Sequence, residues 1–566
     1  MIQEERSDMP KLFADLHCHC TMYGFNRMRN TPEIEQNPEK FNPWTPLPEN
    51  YKHMAAGSRG ATYSQSDMPK LAKAKGRLMF ASITPIEKEF FGYAEGDERH
   101  HYFLWELLLL VTMITPIRVL FQWLRGDKAK ALKTLTAVLR NHSPLRAFVQ
   151  KLIMGYSPAR IKHLQSDKFD YWDEYLREYE FYKNKDGIPT ETRLTYAMPD
   201  GSYHEERLTG CYHLIKERSQ LMGILDDPDN EEIGIVLTIE GSHVTSIDPK
   251  LNRVPEDVLF ERIESLKTQP HPIFFITLAH HFDNGLCGHA HSVPGKLSML
   301  LDQSHRMNEG FVEENDLGLR AARAYLDLDE DLEPLGGRRI LLDIKHMSAL
   351  TRQQYYEKII RPYRAKWKTW SEDKQARYPA IPLVASHACY SGIRTLDEMQ
   401  RNVEKEDDHW HAPPFNAWNI NLSDEDMVEV FESRGVVGIC FEQRIAGVAP
   451  KQHVHPEQYA YLILQHVIGL VDAVYQDESR PLEERKKVWD CICLGTDYDG
   501  FIDPVTAYPT VLSLDEWAED LRRHLQAISH TRSIGDIGVD ELVEKIAWRN
   551  AYDFVKANWP VHEDQK

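Results

Sequence analysis

The sequence predicts an α/β fold, a (β/α)8 barrel of the TIM type, with a large, mostly helical insertion and long loops over the barrel mouth. Three observations predict it. Eight short apolar runs recur along the chain, each bounded by polar or Gly/Pro-rich segments. Helix-like segments lie between them, such as SDEDMVEVFESRG before the seventh and HPEQYAYLILQHVIGLVDAVYQ before the eighth. Most runs end in a residue with a titratable side chain. A closed sheet brings such strand ends around one point, whereas an open doubly wound sheet leaves them in a row.

In order, the runs are Leu12 to His19, Leu78 to Pro85, Ile233 to Glu240, Ile273 to His281, Arg339 to His346, Ile381 to His387, Val436 to Glu442 and Cys491 to Asp497. Uneven spacing between them marks insertions. Residues 1–85 hold the first two strands and a Pro-rich loop from Cys20 to Ser66, which reads as a loop over the mouth and a candidate lid. Residues 86–232 form a helical insertion subdomain, and 233–566 complete the barrel, so the whole is one domain. A further excursion, Glu404 to Asn419, contains His409, Trp410 and His411.

Composition narrows the class. With 42% hydrophobic and 27% charged residues the chain lies far from disordered proteins, so most of it should fold. The net charge of −20 repels phosphate backbones, which excludes nucleic acid as an expected partner. The start, MIQEERSDMPKLF, lacks the apolar core of a signal peptide, so a cytoplasmic location is expected. Eight scattered cysteines suit reduced, buried thiols better than a disulfide framework. The stretch Phe103 to Leu124 is apolar and long enough for a bilayer, but Glu106, Pro116 and Arg118 interrupt it. A buried helix or a subunit interface is therefore expected, with room for peripheral membrane contact but no span, and a homo-oligomer is the expected state.

The chemistry sits at the run ends. His17 and His19 share one face of an extended strand, so two imidazoles one pleat apart can chelate one metal ion. The intervening Cys18 and Cys20 offer a competing thiolate site, although their register turns them toward the outer helices. Glu240 closes an apolar strand and needs a cation there, either two bridged metals or a neighbouring basic side chain. His280, His346 and His387 end three successive runs. Asp497, in LGTDYDG, can accept a proton from a metal-activated water and pass it to a leaving amine, or simply form a turn before Gly500.

Taken in order, these segments resemble the membrane dipeptidase (renal dipeptidase) family of the amidohydrolase superfamily. The match runs through Asp15-Leu16-His17, Asp67-Met68-Pro69-Lys70-Leu71, Ile239-Glu240-Gly241, Leu278-Ala279-His280 and Asp343-Ile344-Lys345-His346-Met347-Ser348. It continues through Ser386-His387, Arg401-Asn402, Leu494 to Gly500 and Asn550, and so spans nearly the whole chain. The resemblance implies two divalent metal ions, zinc foremost. His17 and His19 would bind one ion and His346 and His387 the other, with Glu240 between them. Asp497 would handle protons and join the metal ligands, and His280 would bind and polarise the scissile carbonyl. Arg401 would hold the substrate carboxylate, with Arg394 as the second candidate. Family members usually carry an aspartate where this chain has His19, and they are much shorter.

The expected function is cleavage of an amide or peptide bond in a small substrate such as a dipeptide, by a hydroxide bridging two metals. Two alternatives stand beside it. One keeps the site but takes a lactone, a cyclic amide or a phosphoester. The other is a non-catalytic barrel that uses the helical insertion as an interaction surface.

Overall fold

A computed structural model of the chain describes residues 12–29, 41–47, 64–91, 125, 158–166, 168–197, 203–227, 229–248, 253–293, 301–401, 415–447, 456–505, 507–530, 534 and 537–559. All but one residue of Phe103 to Leu124's neighbourhood, 92–157, lies outside them, as do His409 and His411.

Each of the eight apolar runs contains a strand. In chain order these are β1 (Phe13–Cys18), β2 (Gly76–Ile83), β6 (Ile233–Glu240), β7 (Ile273–Thr277), β8 (Leu341–Asp343), β9 (Val384–Ala388), β10 (Val436–Ile439) and β11 (Ile492–Leu494). The missing numbers belong to three strands between β2 and β6: β3 (Thr190–Ala197), β4 (Tyr203–Gly210) and β5 (Tyr212–Leu214). The eight pair in parallel in the order β1-β2-β6-β7-β8-β9-β10-β11. Backbone bonds join the last to the first, from Asp497 N–H to His17 C=O at 3.0 Å and from His19 N–H to Tyr498 C=O at 2.9 Å. The sheet is therefore a barrel. Every residue of β1, β2, β6 and β7 is buried, which is why these runs are continuously apolar instead of alternating.

Helices cover the outside. Leu317–Tyr325 turns Leu317, Ala321, Ala322 and Tyr325 inward, and Asp424–Glu432 starts at a capping box between Ser423 and Asp426. The C-terminal helix Asn550–Asn558 is tied to the barrel by Asn550, whose Nδ2 donates to Trp489 C=O and Ile492 C=O, both at 2.7 Å.

The described part of 86–232 contains the helices Pro158–Leu164 and Tyr171–Lys183, together with an antiparallel hairpin of β3 and β4 that the sequence reading did not separate from helix. β5 pairs with the first residues of β6 (Tyr212↔Ile233), whereas β7 pairs with its last (Glu240↔Thr277). A second apolar cluster joins the insertion to loops near the strand ends, with Phe90, Ile161, Leu164, Phe169, Phe282 and Phe501 among its members. The Pro-rich loop is anchored twice. Trp44 stacks on Tyr212 beside the start of β6, at the end of the barrel away from Glu240, and Ser64 to Ser66 reach Asp499 at the other end. Among the described residues, no helix is long and apolar enough to cross a membrane.

Candidate metal centre

Because the strands are parallel, their C-terminal ends meet on one face, and the expected side chains converge there. Glu240 Oε1 lies 3.5 Å from His17 Nε2, 3.3 Å from His346 Nε2 and 3.5 Å from His387 Nε2. Its Oε2 lies 3.2 Å from His19 Nε2 and 3.5 Å from His280 Nε2. Asp497 Oδ1 stands 3.7 Å from His17 Nε2 and 3.6 Å from His19 Nε2, and Oδ2 is 3.9 Å from His387 Nε2. The whole set is buried.

These spacings fit cations. Four ligands on metal bonds of about 2.0–2.2 Å stand roughly 3.3–3.6 Å from one another, and the spacings here, 3.1–3.9 Å, bracket that range. Among the described residues, four groups of donors at this end of the barrel lie close enough to grip an ion: His17, Glu240 and His387; His17, His19 and Asp497; Glu240, His280 and His346; and Glu87, His280 and His281. His17 Nε2 and His19 Nε2 face each other at 3.1 Å. The donor set is nitrogen and carboxylate oxygen, which suits zinc and its neighbours. The thiols are not part of it: all eight cysteines are free and buried, and Cys20 Sγ meets Tyr182 Oη at 3.4 Å.

Local backbone geometry aims these side chains. His346 and Asp497 adopt φ of 64° and 61°, a left-handed conformation that costs non-glycine residues energy and often marks functional sites. Gly241 (φ 97°) leaves room for His243, whose Nδ1 would sit 2.3 Å from an added Cβ. At Gly500 a Cβ would lie 2.0 Å from Asp497 Oδ1 and 3.0 Å from His19 Cδ2, so only glycine lets the turn pass beneath both.

A layer of hydrogen-bonded carboxylates supports the site. Asp15 accepts from His17 N–H (3.2 Å), Thr496 N–H (2.9 Å) and Thr496 Oγ1 (2.5 Å), which pins β1 to β11. Asp343 accepts from Lys345 N–H, Ser386 N–H, Thr277 Oγ1 and Ser386 Oγ, which pins β7, β8 and β9. Ser386 Oγ then meets His387 Nδ1 at 2.9 Å, setting the ring that faces Glu240. Asp499 accepts from Gln65 N–H, Ser66 N–H and the hydroxyls of Ser64 and Ser66. Asp67 caps the helix Met68–Lys73.

Electrostatics divides the histidines. For His19, burial favours the neutral ring, but Asp497 and Glu240 outweigh it and push the pKa up to about 10. For His280, burial is likewise outweighed, here by Glu87 and Glu240, and its pKa also reaches about 10. His346 is held down to about 3, chiefly by burial, and His387 is held well below its ordinary value by burial and by nearby cations. Burial raises the Asp497 carboxyl, while the histidines around Glu240 overcome burial and hold it well below the carboxylate range.

Several cavity residues were not singled out from sequence. Glu87 Oε2 lies 2.7 Å from His280 Nδ1 and orients that ring; its position three residues past Thr84, just after the second run, was the available signal. The cavity itself is lined by His281, Lys345, Glu442 and Arg444 among others. Arg401 is not one of them. It is exposed at the end of Leu396–Arg401 and its Nε donates to Asp397 C=O at 3.1 Å; Arg394 is exposed too. Arg444, in the turn after β10, lines the cavity instead.

No protein-family model matches the chain, and no curated protein matches it. Among solved structures it is similar to a metallo peptidase from Rhodobacter sphaeroides liganded with a phosphinate mimic of the dipeptide L-Ala-D-Ala. That pair shares 13% identity over 97% of this chain and 99% of the other, with a TM-score of 0.44. It is also similar to the dipeptidase AC, a metallo peptidase of family M19 (12% identity, 97% and 98% covered, TM-score 0.45). An amidohydrolase from Pseudomonas aeruginosa matches at 12% identity over 61% of this chain and 78% of the other, with a TM-score of 0.34.

Proposed function

We propose that the chain is a metal-dependent hydrolase of the membrane dipeptidase type, cleaving an amide or peptide bond in a small substrate. The observation that carries the reading is Glu240, a single buried carboxylate faced by five imidazole nitrogens at 3.2–3.5 Å. An arrangement of that kind is poor as a structural core, because packed imidazoles and carboxylates are expensive to bury without a partner charge. It is well suited to holding two divalent cations, zinc foremost.

His17 and His19 would hold one cation and His346 and His387 the other, with Glu240 shared. Bound there, the cations would supply an acidified water as nucleophile and would polarise the carbonyl. Asp497 accepts the proton of the attacking water and returns it to the leaving amine. Its burial, which raises its proton affinity, suits that exchange. His280, held as imidazolium by Glu87, donates to the carbonyl oxygen as negative charge develops on it. Residues around the cavity, including Met22, Ile420, Ile445 and Phe501, limit water and favour a small substrate.

The experiment is a hydrolysis screen with zinc-loaded and chelated protein, using dipeptides of both configurations at the C-terminal residue beside lactone, cyclic amide and phosphoester substrates. Dipeptide turnover that disappears on chelation and returns with zinc supports the reading. Undiminished turnover in metal-free protein contradicts it, and turnover confined to the other substrates moves the reaction to that class.

A further inference from the structure

β5 lies off the closed path of the barrel and pairs with β6, Tyr212 opposite Ile233. Alternate residues of an extended chain share a face, so Tyr212 and Leu214 turn into the core while Cys211 and His213 turn the other way together. Glu232 comes immediately before β6, and Ile233 N–H donates to Cys211 C=O at 3.0 Å, which sets the carboxylate beside them on the neighbouring strand. His213 Nε2 lies 3.7 Å from Cys211 Sγ and 3.1 Å from Glu232 Oε2. All three donor atoms lie within 4.8 Å of one another.

Among the described residues, Cys211 alone of the eight cysteines belongs to such a group of donors. A thiolate, an imidazole and a carboxylate bound to one tetrahedral ion, on bonds of about 2.0–2.3 Å, stand roughly 3.3–3.6 Å apart, and the two spacings here fall on either side of that range. Glu232 is fixed by its neighbours: its N–H donates to Asn230 Oδ1 at 2.7 Å, its C=O accepts from Arg77 Nε at 2.7 Å, and Asn230 Nδ2 donates to Oε2 at 3.4 Å. Burial first, then the charges of Glu232 and Asp186, push the Cys211 thiol up to about 11, so it keeps its proton until a cation takes the proton's place. The side chains of His213 and Glu232 are 23% and 41% exposed, which leaves an ion a way in and water a fourth position.

We infer that Cys211, His213 and Glu232 form a separate metal site, for one thiophilic divalent ion such as zinc, at the end of the barrel opposite Glu240. Glu232 and Glu240 stand at the two ends of β6, roughly 25 Å apart along an extended strand. The two centres therefore share no ligand, and this one stands whether or not the hydrolase reading holds. Bound there, the ion fastens β5 to β6 across the loop that carries the helix Arg218–Leu225, and so ties the inserted segment to the barrel. Its role is structural, with binding free energy added to the stability of the folded chain. Thiolate character selects zinc or cadmium over magnesium or calcium.

The test is a cobalt(II) titration of the metal-free full chain, read by absorption. A thiolate on cobalt gives a sulfur-to-metal charge-transfer band in the near ultraviolet, which the nitrogen and oxygen donors around Glu240 cannot give. Wild type should show the band, and added zinc should remove it. Cys211→Ser should abolish it. His213→Ala and Glu232→Gln should weaken the affinity it reports by about tenfold or more, since the loss of an outer-shell partner alone costs that much. Hydrolysis by the metal-loaded protein should be unchanged in all three variants. A wild type without the band overturns the site, as does a band that survives in Cys211→Ser. Equal affinity in Glu232→Gln overturns it too, and that part-exposed position keeps the test open should Cys211→Ser fail to fold. Hydrolysis lost in step with the band would place the thiol in the other centre and overturn a separate site.

Discussion

Two layers of buried carboxylates lie one above the other at the same end of the barrel, and they differ in what surrounds them. In the lower layer, Asp15 and Asp343 are saturated by backbone N–H groups and hydroxyls from neighbouring strands. In the upper layer, Glu240 and Asp497 face mainly imidazole nitrogens at distances longer than ordinary hydrogen bonds. The chemistry of the group is identical, and its environment decides the role. A saturated carboxylate ties strands together, whereas one ringed by ligands at metal-like spacing is the kind we propose for binding cations and moving protons.

That contrast can be broken by exchanging charge for an amide in each layer. Glu240→Gln should cause the largest change, with hydrolysis falling on the order of 10³-fold or more as metal is lost, read by turnover together with elemental analysis. Asp497→Asn should follow, with kcat reduced about 10²- to 10⁴-fold and a smaller loss of metal, because the proton acceptor is removed while Glu240 stays. In the lower layer, Asp343→Asn should lower folding stability by about 1–3 kcal/mol in denaturant titration. Its activity per metal-loaded molecule should drop only about 10- to 100-fold, through the loosened Ser386 and His387. Equal activity losses in the two layers would erase the distinction.

The upper layer should also carry the pH response. In metal-free protein, His19 and His280 have pKa values raised from 6.5 to about 10. The stability they contribute is therefore fully present below pH 6.5 and is lost as pH rises through about 10. Metal must displace the proton of His19, a ligand in the proposed centre, so metal affinity should weaken as pH falls, and binding should release protons. Thermal melts of metal-free and zinc-loaded protein across this range should show opposite slopes. Parallel slopes would mean that His19 lies outside the metal site.

Much of this was legible in the sequence. The eight strands were visible because a parallel barrel buries both faces of each strand and so writes it as a continuous apolar run. His17, His19, Glu240, His280, His346, His387 and Asp497 were visible because each stands at the end of such a run. Features built by long-range contact were not. Nothing local distinguishes Asp343, which is saturated, from Asp497, which is not, since their partners come from other strands. Arg401 was drawn from a short motif, and its helix turns it to solvent, while Arg444 and Lys345, in the segments that follow β10 and β8, line the cavity. The β3–β4 hairpin was hidden because TETRLTYA and YHEERLTG are mixed polar segments without a strict two-residue alternation of apolar groups.

The most direct test of a two-cation centre is anomalous diffraction at the zinc edge from crystals of the zinc-loaded wild type and of Glu240→Gln. Wild type should show two peaks flanking the Glu240 carboxylate, one beside His17 and His19 and the other beside His346 and His387, and the variant should lose at least one. Two undisturbed peaks in Glu240→Gln, or no zinc at these side chains in wild type, would contradict it.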